Sequence, residues 1–143
     1  MTLHLIKLCV GCDSVEDLAE WIDQRRAEAR RTGREPVHAH VTRMVPRRMA
    51  ELLDGGSLYW VIKGSVQVRQ PLLDIQVFTD GEGTQRCRLV LEPSLVRTVW
   101  QPKRPFQGWR YYEPKDVPAD LSARDAEELP LTLRAELASL GLM

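Results

Sequence analysis

The spacing of apolar residues changes period along the chain, and each change marks an element. Residues 3–10 (LHLIKLCV) alternate Leu3, Leu5 and Cys9 against His4, Ile6 and Leu8. Both faces are rich in apolar groups, which predicts a central, covered strand. Val15, Leu18, Ala19 and Ile22 then follow the i, i+3, i+4, i+7 spacing of an amphipathic helix. Ser14 suits its N-cap, and Asp17 stands where a capping-box acid would. The helix is expected to run through RRAEARR and stop at Gly33, with Arg25, Arg26, Arg30 and Arg31 complementing its C-terminal dipole. Residues 37–45 (VHAHVTRMV) return to period two, with His38, His40, Thr42 and Met44 on one face. Strand, helix and strand of these lengths predict a parallel, right-handed crossover.

Residues 46–75 form the stretch around which the rest is organised. Pro46 suits the first turn of a short helix, Met49, Leu52 and Leu53 give it an apolar face, and Gly55 supplies a left-handed cap. SLYWVI at 57–62 has the aromatic and β-branched composition of a strand. Gly64-Ser65 is then expected to be a two-residue hairpin turn, pairing Lys63 with Val66, Val61 with Val68 and Trp60 with Arg69. That register would lay the Arg69 guanidinium over the Trp60 ring as a cation–aromatic platform. Pro71 is expected at an edge or a bulge, with the apolar phase moving to Leu73, Ile75 and Val77.

DGEG at 80–83 reads as a hairpin loop, residues 86–91 as a strand with Cys87, Leu89 and Leu91 inward, and residues 94–100 and 108–112 as further strands. Residues 130–140 carry the pattern of a closing helix, with Leu133, Leu137 and Leu140 on one face. The expected architecture is a single α+β domain over residues 1–143. It has a mixed, largely antiparallel sheet partly closed into a barrel, with two to three helices packed on it.

Composition narrows the class. At 43% hydrophobic and 28% charged, the chain resembles an ordinary soluble globular domain. No run approaches the roughly 18 apolar residues of a membrane span, and the N-terminal segment lacks a signal-peptide pattern. Three cysteines argue against a disulfide framework, so the cytoplasm is expected and no membrane partner. The zero net charge hides a segregation: residues 25–110 carry sixteen Lys/Arg against eight Asp/Glu, and the flanks are acidic. Sixteen of the twenty cations are Arg, which suits bidentate phosphate contacts, although Arg-rich codon usage yields the same count.

Several segments resemble the bacterial domain-of-unknown-function family numbered 1489: LHLIKLCVG with SVEDLAEW, VTRMVPRR, GGSLYWVIKG with RQPLLDI, RCRLVLEP and RPFQGWRYYEP. The resemblance spans nearly the whole chain and implies no activity. At fold level, the helix, Gly turn and hairpin are similar to PUA-like barrels of the ASCH and EVE types, which implies a barrel that binds RNA or modified nucleotides. The chain has only Gly64 and Arg69 in place of their Gly-Lys-x-x-Glu-x-Arg signature, and it adds an N-terminal strand–helix–strand.

Three constellations are candidates for chemistry. Cys9-x-x-Cys12 precedes the helix and has acidic Asp13 beside it, which is the wrong setting for a low-pKa thiol. With Cys87 and a histidine it fits no zinc spacing, so core cysteines are the simpler reading and neither metal nor cofactor is expected. His38-x-His40-x-Thr42 places two histidines on one strand face. That is either half of a two-histidine phosphoesterase or nucleobase-directed site, with Asp54 or Asp74 as tertiary partner, or a half-exposed polar face. The third is the interleaving of cations with aromatics: RTVWQPKRPFQGWRYY at 97–112 holds four cations and no acid. Bases stack on aromatic rings while Arg and Lys meet phosphates. The expected binding set is Arg47, Arg48, Trp60, Lys63, Gln67, Arg69, Lys103, Arg104, Trp109 and Arg110. It predicts a non-catalytic cytoplasmic module for RNA or a nucleotide, with a small enzyme using His38 and His40 as the alternative.

Overall fold

One strand of 15 residues, Ser65–Thr79, holds the sheet together in a computed structural model that describes residues 2–33 and 38–121. In chain order the described elements are β1 (His4–Leu8), α1 (Val15–Arg31), β2 (His38–Thr42), α2 (Met49–Leu52), β3 (Ser57–Ile62), β4 (Ser65–Thr79), β5 (Gln85–Leu91), β6 (Val96–Pro102) and β7 (Trp109–Tyr112). The fold is α+β, a mixed sheet in the order β2-β5-β4-β3-β1-β7, with β6 also paired to β4. β1 and β3 are parallel, and the remaining ladders are antiparallel. The expected closing helix at 130–140 lies outside the described residues.

The expected crossover is not formed. Both edges of β1 are taken, by β3 and β7, so β2 cannot pair with it and instead runs antiparallel to β5 at the far end of the sheet. Nor does the sheet close into a barrel: β2 and β7 are its two ends. Both are short, and the chain leaves β2 for a segment that meets β7 through side chains. The Trp109 indole N–H donates to the Met44 carbonyl at 2.9 Å, and the Tyr111 hydroxyl accepts the backbone N–H groups of Arg47 and Arg48 at 2.9 and 3.2 Å. Such bonds draw the ends together without a ladder.

α1 begins as its sequence dictates. The Ser14 hydroxyl accepts the Asp17 N–H, and the Asp17 carboxylate accepts the N–H of Asp13, one residue earlier than in a standard capping box. Its Val15, Leu18 and Ile22 pack on a core that includes Leu3, Leu5, Leu58, Trp60, Val68 and Leu89. A smaller core of Ile6, Tyr59, Val61, Val66 and Tyr112 lies on the other face, flanked by Phe106 and Val117. β3, between the two, is buried at all six positions.

The hairpin differs from its expected register. Lys63 (φ 51°) and Gly64 (φ 82°) form the turn, and Ile62 pairs with Ser65 and Val61 with Val66. Two left-handed residues in succession are what a type I′ turn requires, and it matches the twist of the strands. A bulge then inserts Gln67, so Trp60 faces Val68 and Tyr59 faces Arg69. The Trp60–Arg69 platform therefore does not exist. At Pro71 the second expectation holds in part, because Leu73 bulges where β4 passes from β3 to β5. Ile75 turns inward beyond it, but Leu73 and Val77 are exposed.

Candidate functional site

The open seam between β2 and β7 holds the most distinctive arrangement of charge. Lys7 on β1 sits opposite Trp60 on β3 and opposite Trp109 on β7, so the lysine lies on one face of the sheet between two tryptophans. That face looks toward β2. A cleft of about 250 Å³ opens there, lined among others by Lys7, Thr42, Arg43, Arg86, Gly108 and Trp109. Its charged lining is three cations with no carboxylate. Arg86 is bonded through Nε to Asp80 at 2.6 Å, which offsets its charge. Lys7 and Arg43 form no ion pair among the described residues. Gly108 (φ 69°) lines the lip where a Cβ would approach the Met44 Cε at 3.2 Å, so a larger residue would crowd the opening.

Behind the cleft the two histidines lie inside the fold, because the face of β2 that bears them opposes the inward residues of β5: His38 pairs with Leu91, His40 with Leu89 and Thr42 with Cys87. The half-exposed face expected for them is thus corrected at His38 and Thr42, which are buried, while His40 keeps partial exposure; Val41, on the other side, is the exposed position. Gln70 organises the interior. Its Oε1 accepts from Trp60 Nε1 at 2.9 Å and lies 3.3 Å from His38 Nδ1, while its Nε2 donates to the Glu92 carbonyl at 2.9 Å. An acceptor at Nδ1 requires the proton there, which leaves His38 Nε2 as a bare lone pair. His38 meets the edge of Trp21 and His40 the edge of Trp60, each about 5.3 Å between ring centres. The Nε2 atoms of both are buried and without a hydrogen-bond partner among the described residues. Burial pushes both imidazoles below their ordinary pKa, His40 to about 4 with help from the charges of Lys7, His38 and Arg25. Both are neutral at pH 7. Asp74, an expected partner, bonds instead to the N–H of Ile75 and to Gln76.

A family model described as "Protein of unknown function (DUF1489)" matches residues 5–143. The chain belongs to this family. No curated protein and no solved structure matches it.

The residues singled out from the sequence of this DUF1489 chain do not make one surface. Arg47, Arg48 and Trp109 gather beside the seam, joined through Tyr111, whose ring lies 5.0 Å from that of Trp109. Arg48 is also paired with Glu51 and, at 3.7 Å, with Glu113. Lys103 and Arg110 belong to the opposite face, where Lys103 lies over Tyr112 at 5.1 Å and Arg110 over Phe106 at 4.9 Å; Arg104 is exposed nearby in sequence. Lys63 caps the hairpin tip 3.2 Å from Asp13. Trp60 and Gln67 are buried, and the Gln67 amide donates to the Ile62 carbonyl at 2.7 Å. Arg69 is clamped by both oxygens of Asp120 at 2.8 Å and donates to Ser57 at 2.8 Å. Trp60 and Gln67 are thus closed to a ligand, and the Arg69 guanidinium is already engaged.

Lys7 and Arg43 escaped the sequence reading. A signal for Lys7 was present, since it is the lone cation inside an otherwise apolar central strand. The cysteines of this DUF1489 chain are free thiols. Burial and a hydrogen bond to Cys12 push the Cys9 thiol up, and burial does the same to Cys87, so neither is poised as a thiolate. Among the described residues no group of three or more His, Cys, Asp or Glu is placed to hold a metal ion. No helix among the described residues is long and apolar enough to cross a membrane.

Proposed function

We propose that this DUF1489 protein is a non-catalytic module that binds RNA or a nucleotide at the seam between β2 and β7. The observation that carries the reading is the cleft itself, whose charged lining is Lys7, Arg43 and Arg86, of which Arg86 is paired with Asp80 and Lys7 and Arg43 are not ion-paired among the described residues. Converging cations in a partly enclosed site focus potential toward an anion, and the low-dielectric wall of Trp109 strengthens that field. Arg47 adds positive charge beside the seam, whereas Arg48 is offset there by Glu51 and Glu113. Three free thiols agree with a reducing bacterial cytoplasm. An enzyme built on His38 and His40 has less support: His38 is buried and His40 largely so, both are neutral, and among the described residues no carboxylate bonds to either.

Filter binding to mixed RNA and to single-stranded DNA across a salt series tests the proposal. Binding should weaken steeply with salt, and replacing Lys7 and Arg43 by Gln should lower the magnitude of the log–log slope by about 1.4, at roughly 0.7 per lost phosphate contact. Affinity no tighter than millimolar at low salt, without a salt slope, would overturn it.

A further inference from the structure

We infer that the seam cleft takes a terminal phosphate monoester rather than an internal phosphodiester of a nucleic-acid chain. The inference rests on the nucleotide-binding reading and adds which part of the ligand the cleft holds.

The cations reach the cleft from separate parts of the fold. Lys7 comes from β1, Arg86 from β5 and Arg43 from the segment just after β2. A surface that tracks a polynucleotide strings its cations along a groove, one per phosphate. Here they surround one hollow. At about 250 Å³ the hollow is smaller than the roughly 300–1,000 Å³ of pockets that enclose whole drug-sized ligands. It has room for a phosphate and part of the attached sugar, and the base stays outside.

The walls agree with an end group. Thr42 and Trp109, at 7% and 8% exposed, are nearly sealed by their neighbours and shut off the interior side. Trp109 is so nearly buried that little of its ring is left for a base to stack on inside the cleft. The Thr42 hydroxyl donates to the Met44 carbonyl at 2.9 Å, which leaves Lys7 and Arg43 as the donors that meet the anion. A monoester at neutral pH carries a charge of about −1.5 to −2. Two unpaired cations match that charge, whereas a diester with one negative charge would leave an excess positive charge in a half-buried site. Gly108 keeps the lip low enough for the phosphate to enter.

The test compares one short RNA sequence with a 5′-phosphate, the same sequence with a 5′-hydroxyl, and a 5′-hydroxyl RNA one nucleotide longer that restores the phosphate count. Fluorescence anisotropy at fixed salt gives the three affinities, and inorganic phosphate is the competitor. The 5′-phosphorylated RNA should bind roughly tenfold or more tightly than both others, a difference of about 1.4 kcal/mol. Inorganic phosphate should abolish that advantage. Lys7→Gln should abolish it too, and Arg43→Gln, at an exposed site whose change does not threaten the fold, should do the same. Equal affinity of the phosphorylated RNA and the longer hydroxyl RNA would overturn the inference and leave the broader binding proposal standing. Failure of all three RNAs to bind would remove both.

Discussion

Trp109 donates its indole N–H to the carbonyl of Met44, and this 2.9 Å bond fastens the last strand of the sheet to the chain leaving β2. No ladder crosses there among the described residues, so a side chain does the work that backbone bonds do elsewhere in the sheet. Trp109→Phe keeps an aromatic ring but removes the donor. The Met44 carbonyl then keeps only the Thr42 hydroxyl as partner, and the expected loss is about 0.5–1.5 kcal/mol. Hydrogen exchange should quicken in β7 before it quickens in β3 or β4. Unchanged protection of β7 would show that the seam is held by other contacts.

Gln70 serves Trp60, His38 and the Glu92 carbonyl at once. Gln70→Leu is similar in size but strands two donors and an acceptor in the interior. The expected cost is about 1–3 kcal/mol for each group left unpaired, less whatever the site recovers by relaxing. Urea unfolding should show a lower midpoint at an unchanged slope. A midpoint equal to that of the parent protein would mean that the three groups find new partners.

Acid should destabilise the fold in a window set by histidine. An unfolded His40 takes up a proton near pH 6.5, whereas the folded one does so only near 4. Between those values the unfolded chain binds more protons, so stability falls as pH drops from about 6.5 to about 4 and this contribution then levels off. His4 and His38 are shifted in the same direction, chiefly by burial, and add to the slope. The groups acting on His40 from around it are Lys7, His38 and Arg25, all of which oppose a positive charge there. Asp80, Asp120 and Glu16 are held below the ordinary carboxylate range by Arg86, Arg69 and Arg97, so their contribution is lost only at lower pH. Unfolding free energies measured from pH 7.5 downward should show this slope, and His40→Gln should flatten it (~pH 4–6.5). An equal slope in the variant would assign the acid sensitivity to other groups.

Gly56 and Gly55 separate two kinds of glycine requirement. A Cβ on Gly56 would stand 2.2 Å from the carbonyl oxygens of Leu3 and Leu52, both backbone atoms that cannot step aside. Gly56→Ala should therefore cost about 3 kcal/mol or more. At Gly55 a Cβ would meet only the Thr2 hydroxyl at an ordinary 4.0 Å, but the φ is 80°, so Gly55→Ala should cost only the left-handed strain of about 1–2 kcal/mol. Thermal melts of the two variants should rank in that order, and the reverse order would contradict the packing of β3 against residue 3.

Local chemistry made much of the fold legible. The capped helix, the strands at 57–62 and 86–91, and the inward Cys87, Leu89 and Leu91 follow from periodicity within one segment. What was misread depended on partners elsewhere. The turn at Lys63-Gly64 requires a lysine in the left-handed region, which local preference argues against, and the Gln67 bulge moves Val68 to the face of Trp60 and Arg69 to that of Tyr59. A register error of one residue exchanges the two faces of a strand. For β2 the decision lay with β5, whose apolar residues drew the histidines inward against the polarity of their own segment. The cleft was harder still to foresee, because Lys7, Arg43 and Arg86 are far apart in sequence and meet only through the sheet order.

That order also sets a timetable for the growing chain. β1 is made first, but its partners are β3, at residues 58–61, and β7, at residues 109–112. Until β7 emerges from the ribosome, β1 has at least one open edge, and before β3 emerges it has two. The segment concerned, LHLIKL, is strongly β-forming, and Lys7 is the one fixed charge within it. An unpaired edge of that kind is where a nascent chain aggregates or recruits a chaperone. A charge within such a segment disfavours edge pairing, so a Lys7 variant chosen to probe binding should be compared by soluble yield as well as by affinity.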